Sequence, residues 1–112
     1  ILPFQKRSEE ENVRKFTDCC NSDLLSLLKG KIYRCPFSAN AENLNAIPIN
    51  KEDQVDLSDL SISQKDLKVK IKNLVYQKKY LTACSFCNGR DYSVGKIKAA
   101  EQTKKPLDYK RA

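Results

Sequence analysis

The sequence predicts a small α+β domain, a β-hairpin with surrounding helices organised by a four-cysteine site. Three observations carry that prediction. Two short runs, Leu24 to Leu28 and Lys31 to Cys35, flank Lys29-Gly30, a two-residue turn signal. Two stretches with helical apolar spacing each begin at a serine able to cap them. The chain also holds five cysteines but no histidine and no methionine in 112 residues.

The elements follow in order. Ser8 is placed to cap a helix over 9–17, with Glu11 at the capping-box position and acids in the first turn, where the helix dipole favours them. Val13 and Phe16 form its short apolar stripe. In the hairpin, Gly30 supplies the positive φ of a tight turn. Ile32 and Arg34 then face one side, and Lys31, Tyr33 and Cys35 the other. Pro36 ends the second strand. Ser38 through Ala46 makes one or two helical turns. Residues 47–62 read as a surface-wrapping loop with extended pieces at Ile47-Pro48-Ile49, Val55-Asp56-Leu57 and Leu60-Ser61-Ile62. Ser63, with Asp66 three residues on, opens the longest helix, 64–80, whose apolar face is Leu67, Ile71, Leu74, Val75 and Leu81. Its lysines take the other sides, with Lys70 and Lys78 able to snorkel at the stripe margin. Asn88-Gly89 is a turn directly after Cys87. A last helix runs from Gly95 to Lys105 before Pro106 stops it, and Leu107 to Ala112 is a tail or linker.

This length makes one domain, 1–112, with a small core that a staple would help. The opening Ile1-Leu2-Pro3-Phe4 has no basic flank or following apolar stretch and is not a signal peptide; the absence of an initial Met is expected of a processed or excised chain. No run approaches the length of a membrane span, so no membrane contact is expected; the chain is expected to be cytoplasmic. Net charge is +7 and uneven. Residues 1–64 carry 8 Lys/Arg against 10 Asp/Glu, and residues 65–112 carry 13 against 4. Such asymmetry suits a solvated lysine face, an anionic partner, or compensation of a negatively charged metal group. Because the lysines ring a helix and are not interleaved with stacking aromatics, nucleic acid is not expected as a partner.

The cysteines decide among chemistries. Cys84 and Cys87 form a CxxC, the spacing of a metal knuckle. Cys35 and one of the adjacent pair Cys19/Cys20 complete four sulfurs; without histidine, a soft four-coordinate site must use four cysteines, which fits zinc or iron–sulfur. A strand leading into the hairpin would point Cys19 and Cys20 to opposite faces, so that one ligates. Dithiol exchange needs a CxxC opening a helix after a strand, which is not the pattern here. The odd count and the adjacent pair weigh against complete disulfide pairing. Buried free thiols remain the packing alternative.

The segment from Cys19 to Cys87 resembles the auxiliary-cluster region of radical S-adenosylmethionine enzymes, the SPASM or twitch type of C-terminal domain. The likeness rests on Cys19 or Cys20, then Gly30-Lys31-Ile32-Tyr33-Arg34-Cys35-Pro36-Phe37, then Cys84-Ser85-Phe86-Cys87. It implies an auxiliary [4Fe–4S] cluster held by four of Cys19, Cys20, Cys35, Cys84 and Cys87, with Cys19 and Cys20 as alternatives. No cysteine follows Cys87, so the likeness is to the one-cluster form. The CxxxCxxC loop that holds the catalytic cluster and S-adenosylmethionine in that family does not occur here. The resemblance therefore implies a C-terminal piece of a larger enzyme, inactive alone. Its partners would be an upstream catalytic barrel of the same polypeptide and a peptide or small-molecule substrate. Backbone N–H groups after Pro36 and around Asn88-Gly89 are placed to tune the site, and Tyr33, Phe37 and Phe86 to shield it or pack the core. Arg90 and Asp91 read as a local ion pair. The competing reading is a non-enzymatic zinc-binding module with a basic surface for nucleic acid or an acidic partner, and a third is a metal-free interaction domain.

Overall fold

The structure, a computed structural model, describes residues 4–91, 93–95 and 104. Helix α1 spans Glu9–Thr17, the predicted limits. Ser8 Oγ accepts from the Glu11 N–H, and the Glu11 carboxylate accepts from the Ser8 N–H, so the reciprocal cap forms. Asn12 and Phe16 are its buried residues.

The hairpin follows with shorter strands than the sequence runs suggest: β1 at Ser26–Leu28 and β2 at Lys31–Tyr33, Leu28 facing Lys31. Both turn residues have positive φ, Lys29 at 51° and Gly30 at 76°. That is the type I′ pattern, whose twist matches the strands it joins.

A third strand, β3 at Gln54–Asp56, pairs antiparallel with β2 and sets Val55 opposite Ile32, giving the order β1-β2-β3. The 47–62 segment is thus not merely a surface wrap. Ile47, Asp53 and Val55 in it are buried. Three strand residues are too few for a period-two signal to emerge from the acids and serines around them.

Helix α2 covers Pro36–Asn43, starting two residues before the predicted turns. Pro36 does not simply end β2. It occupies the first helical turn, where its missing N–H leaves no partner unmet, and Cys35 is the N-cap. Helix α3 covers Gln64–Lys72, capped by Ser63 Oγ on the Asp66 N–H, and widens into a π-helical turn at Asn73–Gln77. The helical run ends at Gln77, three residues short of the predicted limit.

Phe16, Ala41, Ile47, Leu81 and Ala83 form the buried core, and Cys35, Phe37, Tyr80, Cys84 and Phe86 pack against it. The core therefore draws on α1, α2, Ile47 in the segment after α2 and the segment after α3, and Cys35 and Cys84 sit on its margin. The predicted final helix and tail fall almost wholly outside the described residues, as do Tyr92 and Tyr109. No described helix is long and apolar enough to cross a membrane.

Candidate metal centre

Four of the five cysteines reach one place by four different local devices. Cys19 lies just past the end of α1, in a turn closed by its N–H on the Phe16 carbonyl and by the Ser22 N–H on its own carbonyl. Cys35 caps α2. Cys84 lies inside a 3-10 turn, Thr82–Phe86, and Cys87 terminates that turn. Together they line a cavity of about 40 Å3, walled by Phe16, Phe37, Leu81 and Ala83. Cys20 does not line it: the side chain is exposed, its sulfur 4.0 Å from Asn21 Oδ1. The two neighbours diverge because residues 20–23 form a turn, not the strand the sequence suggested.

Each of the four cavity sulfurs accepts a backbone N–H from two or three residues away. Asn21 donates to Cys19 Sγ at 3.4 Å, Ser38 to Cys35 at 3.2 Å, Leu81 to Cys84 at 3.4 Å and Gly89 to Cys87 at 3.2 Å. The Ser38 and Gly89 donors are those expected after Pro36 and at Asn88-Gly89. An N–H aimed at sulfur favours the thiolate over the thiol.

Burial opposes it. Burial pushes the Cys35 thiol up; the Ser38 and Phe37 N–H groups pull the other way, and the charges of Cys19 and Cys87 add to the rise. Cys84 is pushed up to about 11, first by burial, against the Leu81 N–H, and then by Cys35, Cys87 and Cys19. The like-charge repulsion among these four is the electrostatic sign of their proximity. A cation between them would convert that repulsion into attraction, and its uptake would release protons.

Among the described residues, no three Cys, Asp or Glu side chains are grouped so that they could hold a metal ion as they stand. The sulfurs border a space and do not meet at a point. A single zinc needs all four within about 2.3 Å of one centre. In a cluster, the thiolates stand outside a polyatomic body. The soft all-sulfur donor set fits either group chemically.

The CxxC turn is fastened by residues that no local pattern revealed. The Gln5 N–H donates to the Ser85 carbonyl at 2.8 Å, and Arg7 Nη1 to the Cys84 carbonyl at 2.6 Å. The Gln5 and Arg7 side chains both donate to Asn88 Oδ1, at 3.0 and 3.3 Å. The rings of Phe4 and Phe86 lie 5.6 Å apart. On the other side of the turn, buried Asp53 accepts from the Thr82 N–H at 2.8 Å and pairs with Lys78 at 2.9 Å. Lys78, expected only to snorkel, thus anchors the chain entering the CxxC.

Two side-chain expectations change. Asp91 pairs with Lys15 at 2.7 Å and not with its neighbour Arg90, because the Gly89 turn (φ 58°) carries the carboxylate back towards α1. Lys15 beside it, with Ser93, holds the Asp91 carboxyl down at about 2. Of the three aromatics, Phe37 lines the cavity and Phe86 packs beside the core. Tyr33 is buried and donates to Glu42 at 3.2 Å. Arg34 is buried as well, stacked 5.4 Å above the Phe16 ring.

Comparison with protein-family models, curated proteins and solved structures finds no match for this chain.

Proposed function

We propose that this chain is an auxiliary cluster-binding domain in which Cys19, Cys35, Cys84 and Cys87 hold one [4Fe–4S] group. The observation that carries this reading is the shared cavity: four sulfurs from three separate elements border one space, each with its own backbone N–H donor. Buried free thiols kept for packing alone have no need of such convergence.

The wider reading rests on the resemblance of the Cys19–Cys87 spacing. It makes the domain part of a radical S-adenosylmethionine enzyme, SPASM- or twitch-like, working beside a catalytic barrel that binds S-adenosylmethionine and a second cluster. The substrate would be a peptide or a small molecule.

When bound, the group supplies electron transfer or a site for substrate ligation. The chain's own residues hold and shield it. The four N–H donors stabilise thiolate charge, Phe16, Phe37 and Leu81 exclude water from one side, and Lys15, which also lines the cavity, places a positive charge beside the sulfurs.

Anaerobic purification with iron, acid-labile sulfide and zinc counted per chain, alongside a visible spectrum, tests the proposal. About four iron and four sulfide, with the colour lost in Cys35→Ala or Cys84→Ala, is the expected result. One zinc per chain without sulfide would replace it with the structural zinc module. No metal at all would leave the cysteines a packing role.

A further inference from the structure

Beside the sulfur cavity, on the far side of Lys15, lies an open cleft of about 600 Å3. That is within the usual size range of small-molecule sites. Five cations line it: Lys6, Arg7, Arg14, Lys15 and Arg90.

Three carboxylates share the cleft, and two of them are engaged. Glu11 accepts from the Ser8 N–H in the cap of α1, and Asp91 is paired with Lys15. Asp18 is the third. The lining charges leave an excess of +2. Among the described residues, Lys6, Arg14 and Arg90 have no ion pair. Positive charge in excess of the carboxylates repels itself, and a bound anion relieves that repulsion.

We propose that this cleft binds a phosphate-class dianion, inorganic phosphate or a phosphate monoester. Three observations select that class. A ligand near −2 at neutral pH balances the excess charge. Two guanidiniums with no ion pair among the described residues offer the planar paired donors that match phosphate oxygens. The cleft is also held in shape by contacts that do not use Arg14 or Arg90: Arg7 on the Cys84 carbonyl, and Lys15 on Asp91. The inference does not depend on what the four sulfurs hold. It places the anion next to them, however, with Lys15 common to both walls.

Titration of the full chain with inorganic phosphate, and separately with phosphoserine, followed by amide NMR shifts at Arg90 and Asp91, tests it. Sodium chloride at matched ionic strength is the reference. Saturable shifts are expected with at least one of the two phosphates and not with chloride. The ligand that saturates at the lower concentration identifies free phosphate or monoester as the source. Arg14→Gln and Arg90→Gln, both at exposed positions, should each raise the apparent Kd at least tenfold. Lys51→Gln with Lys70→Gln, in the separate cleft beside β3, should leave it within twofold. Chloride reproducing the shifts, or the control pair weakening binding as much as the arginine variants, would overturn the proposal.

Discussion

The two ends of this molecule are built differently. At the sulfur end, α1, α2 and the CxxC turn converge on a buried core. Polar contacts there join residues 77 to 83 positions apart: Arg7 to Cys84 and to Asn88, Gln5 to Asn88. At the other end, α3 has no fully buried residue, Val69 is 51% exposed and Tyr76 is 77% exposed. Asp53 and Lys78 connect the two ends. The difference shows where the chain fixes its structure: the sulfur end is over-determined by contacts, whereas the β3–α3 end is held by one strand pairing, local hydrogen bonds and the burial of Val55 and Leu74.

Core truncation should expose that contrast most strongly. Leu81 is 1% exposed and packs under the sulfur cavity. Leu81→Ala should cost about 2–5 kcal/mol in chemical denaturation. Val69→Ala on α3 should cost under about 0.5 kcal/mol. Equal losses would abolish the distinction between the ends.

Lys78→Ala tests the connection. It leaves Asp53, only 3% exposed, without its cation. The lysine itself keeps some water contact, so the loss should fall below that of a fully buried pair, about 2–3 kcal/mol. Amide exchange should speed up around Thr82 as well as near β3. Acceleration confined to β3 would mean that the pair does not hold the CxxC turn.

A smaller effect is expected at Gly89, where φ is 58° and an added Cβ would sit 3.5 Å from the Lys15 carbonyl. That is ordinary contact, so Gly89→Ala should cost about 1 kcal/mol, from backbone conformation alone. The Lys15–Asp91 pair beside it should show as a pH dependence. The folded Asp91 carboxyl sits at about 2, below its ordinary 3.8, because Lys15 and then Ser93 stabilise the charged form. Its contribution is present above pH 4 and disappears as pH falls from about 4 towards 2. Amide exchange at Gly89 should quicken over that window, and Lys15→Met should shrink the dependence, leaving the smaller part due to Ser93. An unchanged profile in Lys15→Met would assign the transition to another carboxylate.

The contrast also explains what the sequence disclosed. Features written within a few residues were legible: the Ser8–Glu11 box, the Ser63 cap and the Lys29-Gly30 turn each formed at the predicted position. The three-residue β3 carried no period, and Pro36 suits a strand end and a helix start equally. The Gln5–Arg7 strap and the Asp53 anchor depend on partners about thirty to eighty residues away, which no local spacing encodes. Within the candidate site, spacing singled out Cys35, Cys84 and Cys87 but left Cys19 and Cys20 equivalent. The turn after α1 separates them by sending Cys19 to the cavity and Cys20 to solvent.

That separation gives the most direct measurement of the central claim. Cys19→Ser and Cys20→Ser chains should be reconstituted anaerobically with iron and sulfide, and both counted per chain. Cys20→Ser should keep about four of each and its visible absorption, while Cys19→Ser should lose the cluster. Retention by Cys19→Ser with loss by Cys20→Ser, or no iron and sulfide in the unsubstituted chain, would contradict the central claim.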